Sequence, residues 1–172
     1  MSAGKIEDVY SIIGMTLCYM QSVENTFRFI TTYVLQSDGE LTIEKLNSLN
    51  KKESKKALGY FVGLIKKRAD VLPELEALMA DFLQNRNDFV HNHDKIKGWD
   101  LNTHDGRKTA KLFMSKLLRQ GHKLNEILVA LVCRWQEQTG IYPKKADGAD
   151  SIISQIDSKY GAFVDQMFTE KT

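Results

Sequence analysis

The sequence predicts an all-α protein, a single-domain up-and-down bundle of four or five main helices spanning residues 1–172. Apolar residues recur at spacings of three and four nearly throughout the chain, which is the mark of helices that bury one face. Only two prolines and eleven glycines interrupt the chain, which favours long helices. With 42% hydrophobic and 27% charged residues, 172 residues suffice for one full core of ordinary globular composition.

The first helix is expected over about 5–36, with Ile6, Val9, Tyr10, Ile13, Leu17, Met20, Phe27 and Val34 on its apolar stripe. Ser37-Asp38-Gly39 stops it as a turn signal. The polar stretch "DGELTIEKLNSLNKKESKKA" leaves room for a short helix at 42–49. A second main helix, about 54–69, carries Leu58, Phe61, Val62 and Ile65. Pro73 then opens a helix over about 73–92, because a first-turn position loses nothing from the missing N–H. After the loop "HDKIKGWDLNTHDG" a long helix is expected over about 105–138, with Phe113, Leu117, Leu124, Leu128, Leu131 and Trp135 on its stripe. Gly121 interrupts that stripe and predicts a close helix approach. The segment "TGIYPKKADGAD" breaks the chain, and Ile152, Ile153, Ile156, Tyr160, Phe163, Val164 and Phe168 predict a last helix over about 149–168. No repeat or low-complexity segment is present.

A net charge of +2 does not by itself argue for nucleic acid. Met1-Ser2-Ala3-Gly4 is followed by no apolar run of signal type, and no run approaches the roughly 18–20 residues that span a bilayer. The expectation is a cytoplasmic protein without membrane contact. Cys18 and Cys133 read as small core residues, neither a disulfide nor a metal pair.

The stretch "QNRNDFVHN", residues 84–92, carries the chemistry. At about 100° per residue, the stripe of Leu75, Leu78, Met79, Phe82, Leu83, Phe89 and Val90 centres close to Arg86. A guanidinium there has three explanations. Its stem can lie on apolar surface with the head in water. It can be buried against a carboxylate, for which Glu24, between Met20 and Phe27 on the first stripe, is the candidate. Or it can be held at a surface or subunit interface to meet a phosphate. His91 lies about 140° around from Arg86 and one turn past Asn87. Imidazole can take and give a proton near neutrality, guanidinium stabilises phosphoryl oxygens, and an amide can orient either. Together they form a minimal set for cleaving RNA through its own 2′-hydroxyl. Asp88 points elsewhere and is expected to be exposed or capping.

"RNDFVH", residues 86–91, resembles the R-x4–6-H signature of the HEPN superfamily (higher eukaryotes and prokaryotes nucleotide-binding), including the polar residue after the arginine, here Asn87. The specific match covers about six residues, late in a helix of an all-α chain. The resemblance implies a HEPN-like domain and a metal-independent endoribonuclease, with no cofactor. It implies one active site built from two motifs across a homodimer, in a toxin or phage-defence setting with an antitoxin or defence-system protein as partner. Arg86 would stabilise the phosphorane-like transition state, His91 would act as general base or acid, and Asn87 would support orientation. Family members without nuclease activity imply the alternative: a non-catalytic HEPN-like module binding nucleotide, RNA or a protein partner.

Competing constellations are weaker. His93-Asp94 and His104-Asp105 crowd into the loop after the motif, unlike the dispersed ligands of HD-type phosphohydrolases. His91, His93 and His104 lack the spacing of a closed zinc site. The expectation is no metal, with Thr103 or Asp105 capping the next helix. Lys51, Lys52, Lys55 and Lys56, and Lys66, Lys67 and Arg68, are solvated faces or a weak RNA-tracking surface; Tyr60 and Phe61 look like core. Trp99 either stacks on a base or packs down as a lid.

Overall fold

The computed structural model describes residues 5–35, 42–53, 55–140 and 152–167. Six α-helices run through them: α1 (Ile6–Phe29), α2 (Ile43–Glu53), α3 (Leu58–Arg68), α4 (Pro73–Asn92), α5 (His104–Thr139) and α6 (Ile152–Met167). A five-residue π-helical turn, Ile30–Val34, follows α1, and a 3-10 turn, His93–Lys95, follows α4. Among the described residues there is no strand, so the chain is an all-α helical bundle. None of the described helices is long and apolar enough to cross a membrane. The turn at Ser37-Asp38-Gly39, most of the break after Thr139, the Ile153 side chain and Phe168 lie outside the described residues.

Local chemistry sets the helix ends. Pro73 occupies the first turn of α4, as its missing N–H allows. Thr103 caps α5 by accepting a hydrogen bond from the Gly106 backbone N–H at 3.1 Å. Gly140 closes α5 at φ 69°, a left-handed conformation that glycine adopts without steric cost. The first helix ends in regular form seven residues short of the expected boundary at 36. Its ladder is disturbed where the Thr31 hydroxyl donates to the Phe27 carbonyl and Arg68 Nη1 donates to the Thr31 carbonyl at 2.7 Å. Side-chain groups inserted into the backbone ladder are a usual cause of such bulges.

Three helices surround the site. Cross-links pair Asp8 with Lys111, Tyr19 with His122, and Thr26 with Asn125, so α1 and α5 run parallel. Phe82 meets Gly121 and Asn85 bonds Gln120, so α4 runs antiparallel to α5. Phe27, Phe61, Phe82, Met114, Leu117 and Leu124 are fully buried in the shared core. A Cβ on Gly121 would stand 3.3 Å from the Phe82 ring and 3.4 Å from the Tyr19 ring, so the glycine admits the close approach its position predicted.

Some stripe residues depart from expectation. Tyr10 and Leu17 are exposed, because the buried arc of α1 centres on Val9, Thr16, Val23 and Phe27. Cys18 falls on the opposite side and is exposed, and Cys133 is only partly buried, so the core reading of Cys18 is corrected. Phe61 is core, whereas Tyr60 lies at the rim, where its hydroxyl donates to Glu53 Oε1 at 3.3 Å and Lys56 lies over its ring.

Candidate functional site

The last turns of α4 bring the motif to the edge of the bundle. Leu75, Met79 and Phe82 are buried, and the same face then reaches Arg86 as the helix leaves the core. Arg86 Nε donates to Glu24 Oε1 at 2.9 Å, and Arg86 Nη1 donates to Asn87 Oδ1 at 3.1 Å. The side chains of Arg86 and Glu24 are 19% and 24% exposed. Of the three explanations for this charge, the ion pair with Glu24 is what the fold realises. It is neither a fully buried pair nor a head free in water. The guanidinium is pinned at two nitrogens and held at a half-covered rim, where an anion could approach its remaining N–H groups.

His91 is exposed and makes no hydrogen bond among the described residues. It stands one turn beyond Asn87 on the same side of α4, so Arg86, Asn87 and His91 mark one end of one helix. Asp88 turns to another side, half-buried, and accepts from Gln84 Nε2 at 2.8 Å, one helical turn back. The bond from Asn85 Nδ2 to Gln120 Oε1 at 2.9 Å fixes this end of α4 on α5.

Trp99 packs down as a lid. Its ring centroid lies 6.0 Å from Phe89, 6.1 Å from Phe113 and 6.2 Å from His93, in tilted or edge-on arrangements. It closes one wall of an apolar groove of about 370 Å³, shared with Ile13, Leu17, Phe89, Val90, His93 and Leu101. Because Phe89 and Val90 follow Arg86 by three and four residues, the groove opens one turn past the guanidinium.

The weaker candidates separate. His104 Nδ1 stands 3.4 Å from Asp105 Oδ1, both exposed at the start of α5, while Thr103 makes the cap. Among the described residues, no group of three or more His, Cys, Asp and Glu side chains is placed to hold a metal ion. Lys51, Lys52, Lys55 and Lys56 are exposed. Helix α3 runs antiparallel to α4: Gly59 faces Leu83, and Lys66 pairs with Glu76. Lys55 and Lys56, just before α3, therefore lie toward the motif end of α4. Lys66 and Lys67 lie toward the opposite end, since Glu76 is ten residues from Arg86, about 15 Å along the helix. Arg68 turns inward to the Thr31 carbonyl and leaves the basic surface.

Several residues that shape the molecule carried no sequence signal. Arg134 of α5 clamps α6 through Asp165 at 3.0 Å and Asp157 at 3.5 Å, and also pairs with Glu137 of its own helix at 3.1 Å. Gly161 makes room for it, since a Cβ there would meet Arg134 Nη2 at 2.5 Å. A Cβ on Gly106 would collide with the Asp100 backbone carbonyl, which ties the Trp99 loop to the start of α5. Glu53 is buried and accepts from the hydroxyls of Thr32 and Tyr60. Acid-to-base spacing across helices is invisible until the helices are in register, and a lone glycine in a helical pattern reads the same whether or not it is packed.

Comparison with protein-family models, with curated proteins and with solved structures gives no match.

Proposed function

We propose that the chain is a metal-independent endoribonuclease of HEPN type, with an active site built around Arg86 and His91 and completed by a second copy across a homodimer two-fold. The observation that supports this reading most is the state of Arg86: a guanidinium pinned by Glu24 and Asn87 at the rim of the bundle, with an exposed imidazole, unbonded among the described residues, one turn further along the same helix end. Preorganised cations are what a developing phosphorane charge requires, and a solvent-reaching imidazole is what proton transfer requires. In the reaction, the substrate's 2′-oxygen attacks the adjacent phosphorus as His91 of one copy takes its proton. The bond from phosphorus to the 5′-oxygen breaks, and that oxygen receives a proton from the second imidazole. The products are a 2′,3′-cyclic phosphate and a 5′-hydroxyl. Lys55 and Lys56 would track the phosphate backbone leading to the site. A toxin or defence role, with an antitoxin-like protein partner, belongs to this reading through the family resemblance.

The experiment is RNA cleavage in EDTA. RNA is expected to be cut and DNA, lacking the 2′-hydroxyl, to survive. His91→Ala should lower the rate about 10²–10⁴-fold, with Arg86→Ala comparably damaging and Lys55→Ala weakening binding in a salt-dependent way. RNA that is bound but left intact would favour the non-catalytic module. Cleavage undiminished in His91→Ala would return the motif to a structural role.

A further inference from the structure

A further cavity lies away from the motif end of the bundle, where α3 ends. It occupies about 350 Å³ between the π-helical turn, the end of α3, the last turns of α5 and α6. That is the size of a small-molecule site. Val34, Leu131 and Trp135 supply apolar wall, and Arg68, Arg134 and Asp165 supply charge. The two guanidinia differ. Arg134 is neutralised by Asp165, Glu137 and Asp157, which make its corner rich in acid. Arg68 donates one N–H to the Thr31 carbonyl and has no carboxylate within ion-pair distance among the described residues. Among the described residues the cavity is thus polarised, with a cation that has no carboxylate partner at one end and a guanidinium held by carboxylates at the other.

We propose that this cavity binds a small monoanion with a flat apolar body, of the aromatic carboxylate class. The carboxylate accepts from the free edge of the Arg68 guanidinium, whose planar fork fits two carboxylate oxygens. The ring lies against Trp135 and the aliphatic wall, and the acid-rich corner around Arg134 excludes a second negative charge. The π-helical turn contributes directly, because the Thr31 carbonyl it presents is the acceptor that positions Arg68. This site does not rest on the ribonuclease reading.

The test uses 2-naphthoate and the full chain. The sequence has two tryptophans. In ¹H–¹⁵N spectra the indole N–H of Trp135 reports the cavity, and that of Trp99 in the distant lid serves as control. A saturable shift confined to Trp135 is expected. Uncharged 2-naphthylmethanol, and naphthalene-2,6-dicarboxylate with its second charge, should each bind about 10-fold or more weakly. Arg68→Gln should lose binding to the same degree, and Arg68→Lys should retain part of it. Three outcomes would overturn the proposal: equal affinity for the alcohol, tighter binding of the dicarboxylate, or shifts that never saturate or appear equally at Trp99. The ligand comparisons run on the unaltered protein and decide the matter even if Arg68→Gln fails to fold.

Discussion

Glu24 and Arg86 each interrupt an apolar stripe, and the fold sets the two interruptions against each other at 2.9 Å. With side chains 19% and 24% exposed, the pair stands between two regimes. An exposed pair contributes about 0.2–1 kcal/mol, whereas removing one member of a buried pair costs about 3–5 kcal/mol. Glu24→Ala should therefore cost roughly 1–2 kcal/mol, and Glu24→Gln, which keeps an acceptor for Nε, should cost less. Denaturant midpoints check this, and an unchanged midpoint in Glu24→Ala would show the pair to be energetically silent. The pairing was legible in the sequence because a charge on a core-facing stripe demands a partner, and few stripe positions offered one. The inward turn of Arg68 was not legible. It sits in a basic run like any solvated face, and only the π-helical turn, which no periodicity announces, presents the carbonyl that draws it in.

Among the elements, α6 depends on polar contacts. Besides the Arg134 clamp, Glu126 of α5 accepts from Lys159 Nζ at 2.9 Å and from the Tyr160 hydroxyl at 3.0 Å. The hydrogen bond from Lys159 lowers the Glu126 carboxyl below its ordinary value of 4.5, with Tyr160 also lowering it and burial opposing. A carboxyl depressed in the folded state contributes stability above its unfolded pKa, and that stability is lost as pH falls through the folded value. Protection factors of the α6 amides, corrected for intrinsic exchange, should therefore fall in acid, beginning below about 4.5. Glu126→Gln should remove this component, so coincident pH profiles for variant and parent would refute it. The helices themselves are readable, α4 at its observed bounds and α5 within a residue at either end, while α1 loses its regular form seven residues early and α3 begins four residues late. Proline, threonine and glycine punctuation marks those boundaries chemically. Which helix lies parallel to which was not readable, because amphipathic stripes record that a face is covered and not by whom.

At the scale of the whole molecule, the motif end of the bundle leaves apolar surface uncovered. Leu17 and Val90 are exposed beside the groove, and Tyr10 continues along α1. The proposed composite site requires a second copy at this end. The dimer is expected to bury at least about 1,200 Å² in total, the lower range for specific interfaces. Leu17→Glu should shift it toward monomer and lower RNA cleavage in parallel. Light scattering at micromolar concentration checks the state, and a monomeric parent protein would remove the composite site.

The parallel pairing of α1 with α5 has a consequence during synthesis. Val9, Val23 and Phe27 of α1 are covered by a helix that ends at Thr139, about 110 residues after α1 itself is complete. At about 5–20 residues per second, the ribosome holds that sticky face without its cover for roughly 5–20 s. Helices α3 and α4 emerge in the interval and can shield part of it, but the nascent chain cannot close its core until α5 has cleared the exit tunnel. The core therefore closes only once α5 has emerged, and the nascent chain is at its most vulnerable to aggregation before that long helix arrives.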